Sequence, residues 1–141
     1  MSQLTEKVAK AVATIDGSGR RILVIDDDLA IRVLLKAVLK KMQFDVELAE
    51  DGAIGLEKVQ ANGGFDLILL DLMMPRVNGY EFIEKINAMN GEERPHIVVF
   101  TAAGTRGVEK IPKDAVCASI LKPFDLDKFI EIIADCVKKR H

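Results

Sequence analysis

The 141-residue sequence predicts an α/β fold, a five-stranded parallel sheet with helices on both faces. Three observations carry that expectation. Short apolar runs recur along the chain and are continuous rather than alternating, as strands buried on both faces require. Between them lie stretches whose apolar residues repeat at helical spacing. The runs also end, one after another, in residues that can do chemistry.

Each element has its own signal. "RILVIDDD" opens the series, with Ile22 to Ile25 as the first strand and Asp26, Asp27 and Asp28 crowded behind it. "LAIRVLLKAVLKKM" follows, with Ile31, Leu34, Leu35, Val38 and Met42 on one stripe. "FDVELAE" alternates, placing Val46 and Leu48 on one face of a second strand. "DGAIGLEKVQ" is a weaker helix, because Gly55 inside it costs about 1 kcal/mol relative to alanine. "FDLILLD" is the third strand, and "GYEFIEKINAM" stripes Phe82, Ile83, Ile86 and Met89 at helical spacing. "HIVVFT" and the weaker "CASILK" complete the sheet. "LDKFIEIIADCVKKR" closes the chain, ending in Lys138, Lys139 and Arg140, which suit a helix C-terminus.

Composition removes several classes of function. Hydrophobic residues make up 49% and charged residues 30%, ordinary for a folded domain and unlike a disordered acidic chain. A net charge of −2 gives no basic field to draw nucleic acid or anionic lipid. No apolar run approaches a membrane span, and the N-terminus lacks a secretory pattern, so a cytoplasmic protein is expected. Cys117 and Cys136 form neither a disulfide framework nor paired metal spacing; they read as buried small apolar residues in a reducing compartment.

In open parallel sheets, chemistry collects beyond the carboxyl ends of the strands. Here those ends carry Asp26 and Asp27, then Asp71, Thr101 and Lys122. Clustered carboxylates need a cation, and an oxygen-only set suits a hard ion such as Mg²⁺. With the lysine, that ion would offset the charge of a phosphoryl group carried on one aspartate. A hydroxyl at Thr101 would then meet the phosphoryl oxygens.

"LVIDDD", "LILLDLMMPRVNGYEF", "VVFTAA" and "ILKPF" resemble, in order and spacing, the four motifs of the receiver domains of two-component response regulators. The resemblance covers residues 21 to 139. It implies a flavodoxin-like strand order, 2-1-3-4-5, and a phosphoacceptor at Asp71. It implies Mg²⁺ held by Asp26, Asp27, Asp71 and the Met73 carbonyl, a switch hydroxyl at Thr101, and a phosphoryl-binding Lys122 followed by a cis proline. It also implies a sensor histidine kinase or a histidine phosphotransfer protein as donor and a separate protein as target, with no nucleic-acid or membrane partner. The expectation is a stand-alone signalling phosphoacceptor, not an enzyme, acting as a monomer or weak dimer. A relay role, passing the phosphoryl group to a histidine phosphotransfer protein, is the alternative. A phosphohydrolase of the haloacid dehalogenase type is disfavoured, because the second aspartate those enzymes carry two residues after the nucleophile is here Met73.

Asp28 matches no ligand position and reads as a helix N-cap. Ser119 stands where the family commonly has a switching aromatic, three residues before Lys122. "AGTRGVEKIPKDAV" carries two internal glycines and a proline where a fourth helix belongs, so that helix is expected to be short or irregular. Residues 1–20 are expected to be an N-terminal extension forming a short helix, broken by "DGSGR", with the receiver domain over 21–141.

Overall fold

The computed structural model describes residues 6, 15–74, 78–89, 94–102 and 104–138. The helix expected within residues 1–20 falls almost wholly outside the described residues. What is described there is a turn over Gly17–Arg20, closed by the Arg20 amide donating to the Gly17 carbonyl at 3.1 Å.

Five parallel strands form the sheet: β1 (Arg21–Ile25), β2 (Asp45–Ala49), β3 (Leu67–Leu70), β4 (His96–Thr101) and β5 (Ala118–Leu121), in the order β2-β1-β3-β4-β5. Among the described residues, five helices connect and cover them: α1 (Leu29–Lys41), α2 (Gly52–Asn62), α3 (Gly79–Asn87), α4 (Gly104–Glu109) and α5 (Leu126–Lys138). The order reverses between β1 and β3, because the chain runs outward to β2 and then returns to the other side of β1. That reversal opens a crevice above the carboxyl ends of β1 and β3.

Strand alternation sorts the core into two layers. Ile22, Val24, Leu67 and Leu69 face α1 and α5, where Leu35, Leu39, Met42, Phe129, Ile130 and Ile133 complete one cluster. Leu23, Ile25, Ile68 and Leu70 face the other way, onto Val59 of α2 and Phe82, Ile83 and Ile86 of α3. Because β1 and β3 are covered on both faces, their sequences are apolar at every buried position, which is why they read as continuous runs.

Three details depart from the sequence reading or refine it. Leu34 was expected on the buried stripe of α1 but is 44% exposed; Leu39 takes the core position instead. Gly55 is not a weakness in α2. A Cβ there would lie 2.5 Å from Ile25 Cδ1 and 3.3 Å from Phe82 Cε2, so its absence lets α2 approach β1 closely. The fourth helix is short, six residues over Gly104–Glu109, as its glycines implied.

The cysteines require a correction. Cys117 and Cys136 are joined in a disulfide, not held as separate thiols. A helix that follows its strand runs back antiparallel to it, so the last turns of α5 return to the entrance of β5. That return brings together two residues 19 apart whose spacing matches no motif.

Candidate functional site

Asp26 and Asp27 leave β1 at the crevice, and Asp71 leaves β3 directly beside them. The Asp71 amide donates to the Ile25 carbonyl at 3.0 Å, extending the β1–β3 pairing by one step and fixing the two strand ends against each other. Lys122 follows β5, and its amide donates to the Thr101 carbonyl at 2.8 Å. The Lys122–Pro123 peptide is cis, as the motif resemblance implied. Thr101 is fully buried at the end of β4. Sheet topology thus gathers residues from four strand ends onto one rim.

The acidic cluster has defined geometry. Carboxylate oxygens of Asp26, Asp27 and Asp71 lie within 4.8 Å of one another. Asp26 and Asp71 are buried, whereas Asp27 faces solvent. Lys122 Nζ bridges the buried pair, 2.8 Å from Asp26 Oδ2 and 3.4 Å from Asp71 Oδ2. The longer contact is an ion pair more than a hydrogen bond. Met73 donates its amide to Asp71 Oδ1 at 3.1 Å, while its side chain is 60% exposed. Met74, in contrast, packs against the second core cluster.

Burial raises the Asp26 carboxyl above its ordinary value, even though hydrogen bonds from Lys122 and the Asp28 amide pull the other way. Burial also opposes the Lys122 ammonium. Its bond to Asp26 and the charges of Asp71 and Asp26 outweigh that, and its pKa is raised. The lysine is therefore held charged between two carboxylates. One ammonium cannot balance three carboxylates. The surplus negative charge and the solvent-facing Asp27 suit a hard divalent cation that keeps part of its water shell.

Two contributions to the site were missed in the sequence. Arg32 Nη1 donates to the Asp26 carbonyl at 2.7 Å and so braces the acidic turn from within α1. Its spacing, one turn beyond the cap Asp28, was the only available signal. Phe100 lies under Lys122, with Nζ 4.9 Å from the ring centroid, an arrangement in which the ring face attracts the ammonium. Asp28 is an N-cap, its carboxylate accepting the Ala30 amide at 2.9 Å. Asp51 and Asn78 cap α2 and α3 in the same manner. Ser119 is exposed on β5.

Fold and rim together define a class, a flavodoxin-like α/β domain with an acidic crevice bridged by a lysine. The response regulator receiver domain model matches residues 22–134, and the chain belongs to that family. It is 31% identical over 129 residues to the chemotaxis protein CheY of Treponema pallidum, covering 87% of this chain and 86% of that protein. It is 38% identical over 111 residues to the response regulator MprA of Mycobacterium sp. strain KMS, covering 78% of this chain but only 47% of MprA. The chain thus spans about half the length of that regulator. Among solved structures, it resembles the response regulator TrrA of Thermotoga maritima in complex with Mg(2+)-BeF. That likeness has a TM-score of 0.74 and 30% identity, over 83% of this chain and 98% of TrrA. The domain is a signalling phosphoacceptor by family. No described helix is long and apolar enough to cross a membrane.

Proposed function

We propose that this domain accepts a phosphoryl group on Asp71 in a Mg²⁺-dependent reaction and signals by phosphorylation-dependent binding to a separate protein. The observation that carries this reading is Lys122 Nζ bridging Asp26 and Asp71, with Asp27 in the same carboxylate cluster. Asp27, Asp26, Asp71 and the Met73 carbonyl are the residues that would hold Mg²⁺. Bound there, the ion supplies charge neutralisation to the transferring phosphoryl group. The chemistry of the donor set and the Mg(2+)-BeF complex of TrrA support that choice.

An Asp71 carboxylate oxygen attacks phosphorus, and the bond from phosphorus to the donor's leaving atom breaks. The donor is a phosphohistidine of a sensor kinase or phosphotransfer protein, or a small acyl phosphate. Lys122 then pairs with the phosphoryl oxygens, and the Thr101 hydroxyl turns toward them to report their arrival. Residues 21–141 form the receiver domain, with residues 1–20 an extension to it, and the domain acts in the cytoplasm. Incubation with acetyl phosphate, read by intact mass, tests the reaction. One phosphoryl addition is expected with Mg²⁺ and almost none with EDTA. Equal labelling in EDTA contradicts the proposal.

A further inference from the structure

The two residues of the Cys117–Cys136 bond differ in exposure, although both meet the same core cluster. Cys136 is 2% exposed, within the α5 side of the core and in one cluster with Ile133 and Val137. Cys117 is partly exposed and lines a groove of about 380 Å³, bounded by Val108, Glu109, Ile111, Lys113 and Ser119. A thiolate attacking a disulfide must reach one sulfur and expel the other. Here the open approach leads to Cys117, and the group expelled is Cys136. We propose that Cys117–Cys136 is a second covalent site on this domain, a thiol–disulfide exchange site that takes dithiol reductants through Cys117.

The exchange balances as a two-electron reduction. A reductant thiolate forms a mixed disulfide with Cys117 Sγ, and Cys136 leaves as a thiolate and takes up a proton. The second thiol of the reductant attacks its own sulfur in the mixed disulfide and releases Cys117, which takes up the other proton. The reductant ends as its intramolecular disulfide. Neither product thiol disrupts the fold, since Cys136 then occupies its place as a small apolar side chain. A disulfide of this kind, exposed to a reducing compartment, is transient and reports redox state.

The location gives the bond a consequence. Cys117 immediately precedes the edge strand β5, and its amide donates to the Ile97 carbonyl of β4 at 2.7 Å. The segment before it, with Ile111 buried and Ala115 and Val116 against the second core cluster, also borders open space. A second cavity of about 460 Å³, lined by Tyr80, Ile83, Asn87 and Ile111, lies between it and α3. The disulfide anchors the end of that segment to α5. Opening it frees the entrance of the strand that leads to Lys122, five residues on. Redox state and phosphoryl state therefore act on the same strand.

Wild-type protein is equilibrated with oxidised glutathione or with dithiothreitol, acid-quenched, denatured and alkylated, and mapped by peptide mass. The oxidised sample is expected to resist alkylation at both cysteines, and the reduced one to take it at both. Amides 113–118 should exchange about tenfold or more faster in the reduced state. Oxidised glutathione should form a mixed disulfide at Cys117 in Cys136→Ser, and in Cys136→Ala as a second background. It should leave Cys136 unmodified in folded Cys117→Ser. Free thiols persisting under oxidised glutathione, equal modification at the two positions, or identical exchange in the two redox states would each overturn the proposal.

Discussion

At Asp26, burial and charge pull in opposite directions, and the outcome explains why a lysine stands over it. A buried carboxylate is costly unless paired, and removing one partner of such a pair typically costs about 3–5 kcal/mol. Lys122→Met should therefore do two things. It should lower stability by about 3 kcal/mol in the absence of metal, measured by urea unfolding. It should also slow labelling by acetyl phosphate, because the phosphoryl group loses its counter-charge. A variant as stable and as fast as wild type would show that the bridge has no role. Two residues after the acceptor, Met73 carries an exposed thioether that cannot orient a hydrolytic water. Slow loss of the phosphoryl group is expected, and Met73→Asn should hasten it several-fold, roughly 1 kcal/mol in barrier, followed as decay of the labelled mass. An unchanged half-life would place control elsewhere.

Elements show the same competition at larger size. By propensity alone, Gly55→Ala should stabilise α2 by about 1 kcal/mol. By packing it should destabilise, since the new methyl group meets Ile25 Cδ1 at 2.5 Å with Phe82 behind it, and overpacking costs about 1–3 kcal/mol. Packing should win. The variant should melt lower, and a rise in Tm would mean that α2 can move off the sheet. The α4 region is the opposite case. Six residues of helix are tied to α3 by the Tyr80 hydroxyl donating to the Gly107 carbonyl at 2.8 Å. Asn87 Nδ2 donates to the Ala115 carbonyl at 3.1 Å as a second tie. With Ser119 unable to swing as an aromatic would, the signal is expected to leave by ordering this stretch. Hydrogen exchange over 104–117 should be the fastest among the internal segments, and beryllofluoride with Mg²⁺ should slow it. Strong protection without beryllofluoride, or a response confined to another face, contradicts this.

For the whole molecule, what could be read from sequence follows from what the fold makes local. β1 and β3 are buried on both faces, so their continuous runs and polar ends were legible, and with them Asp26 and Asp71; Lys122 follows the half-exposed β5 and was legible through "ILKPF" instead. The cap Asp28 was legible because a cap bonds within its own first turn. Leu34 was not, because the rotational setting of α1 depends on its contact with the sheet. The Cys117–Cys136 bond, the Tyr80 tie and the Phe100 ring beneath Lys122 join residues distant in sequence, and only the finished topology brings them together.

That topology makes the central claim a claim about one side chain, since three carboxylates share the crevice and only one is assigned the phosphoryl group. After labelling with acetyl phosphate and Mg²⁺, borohydride reduces an aspartyl phosphate to homoserine, and peptide mass then locates the reduced residue. Homoserine is expected at position 71 alone and absent in Asp71→Asn. Homoserine at position 26 or 27, or its persistence elsewhere in Asp71→Asn, would contradict the assignment.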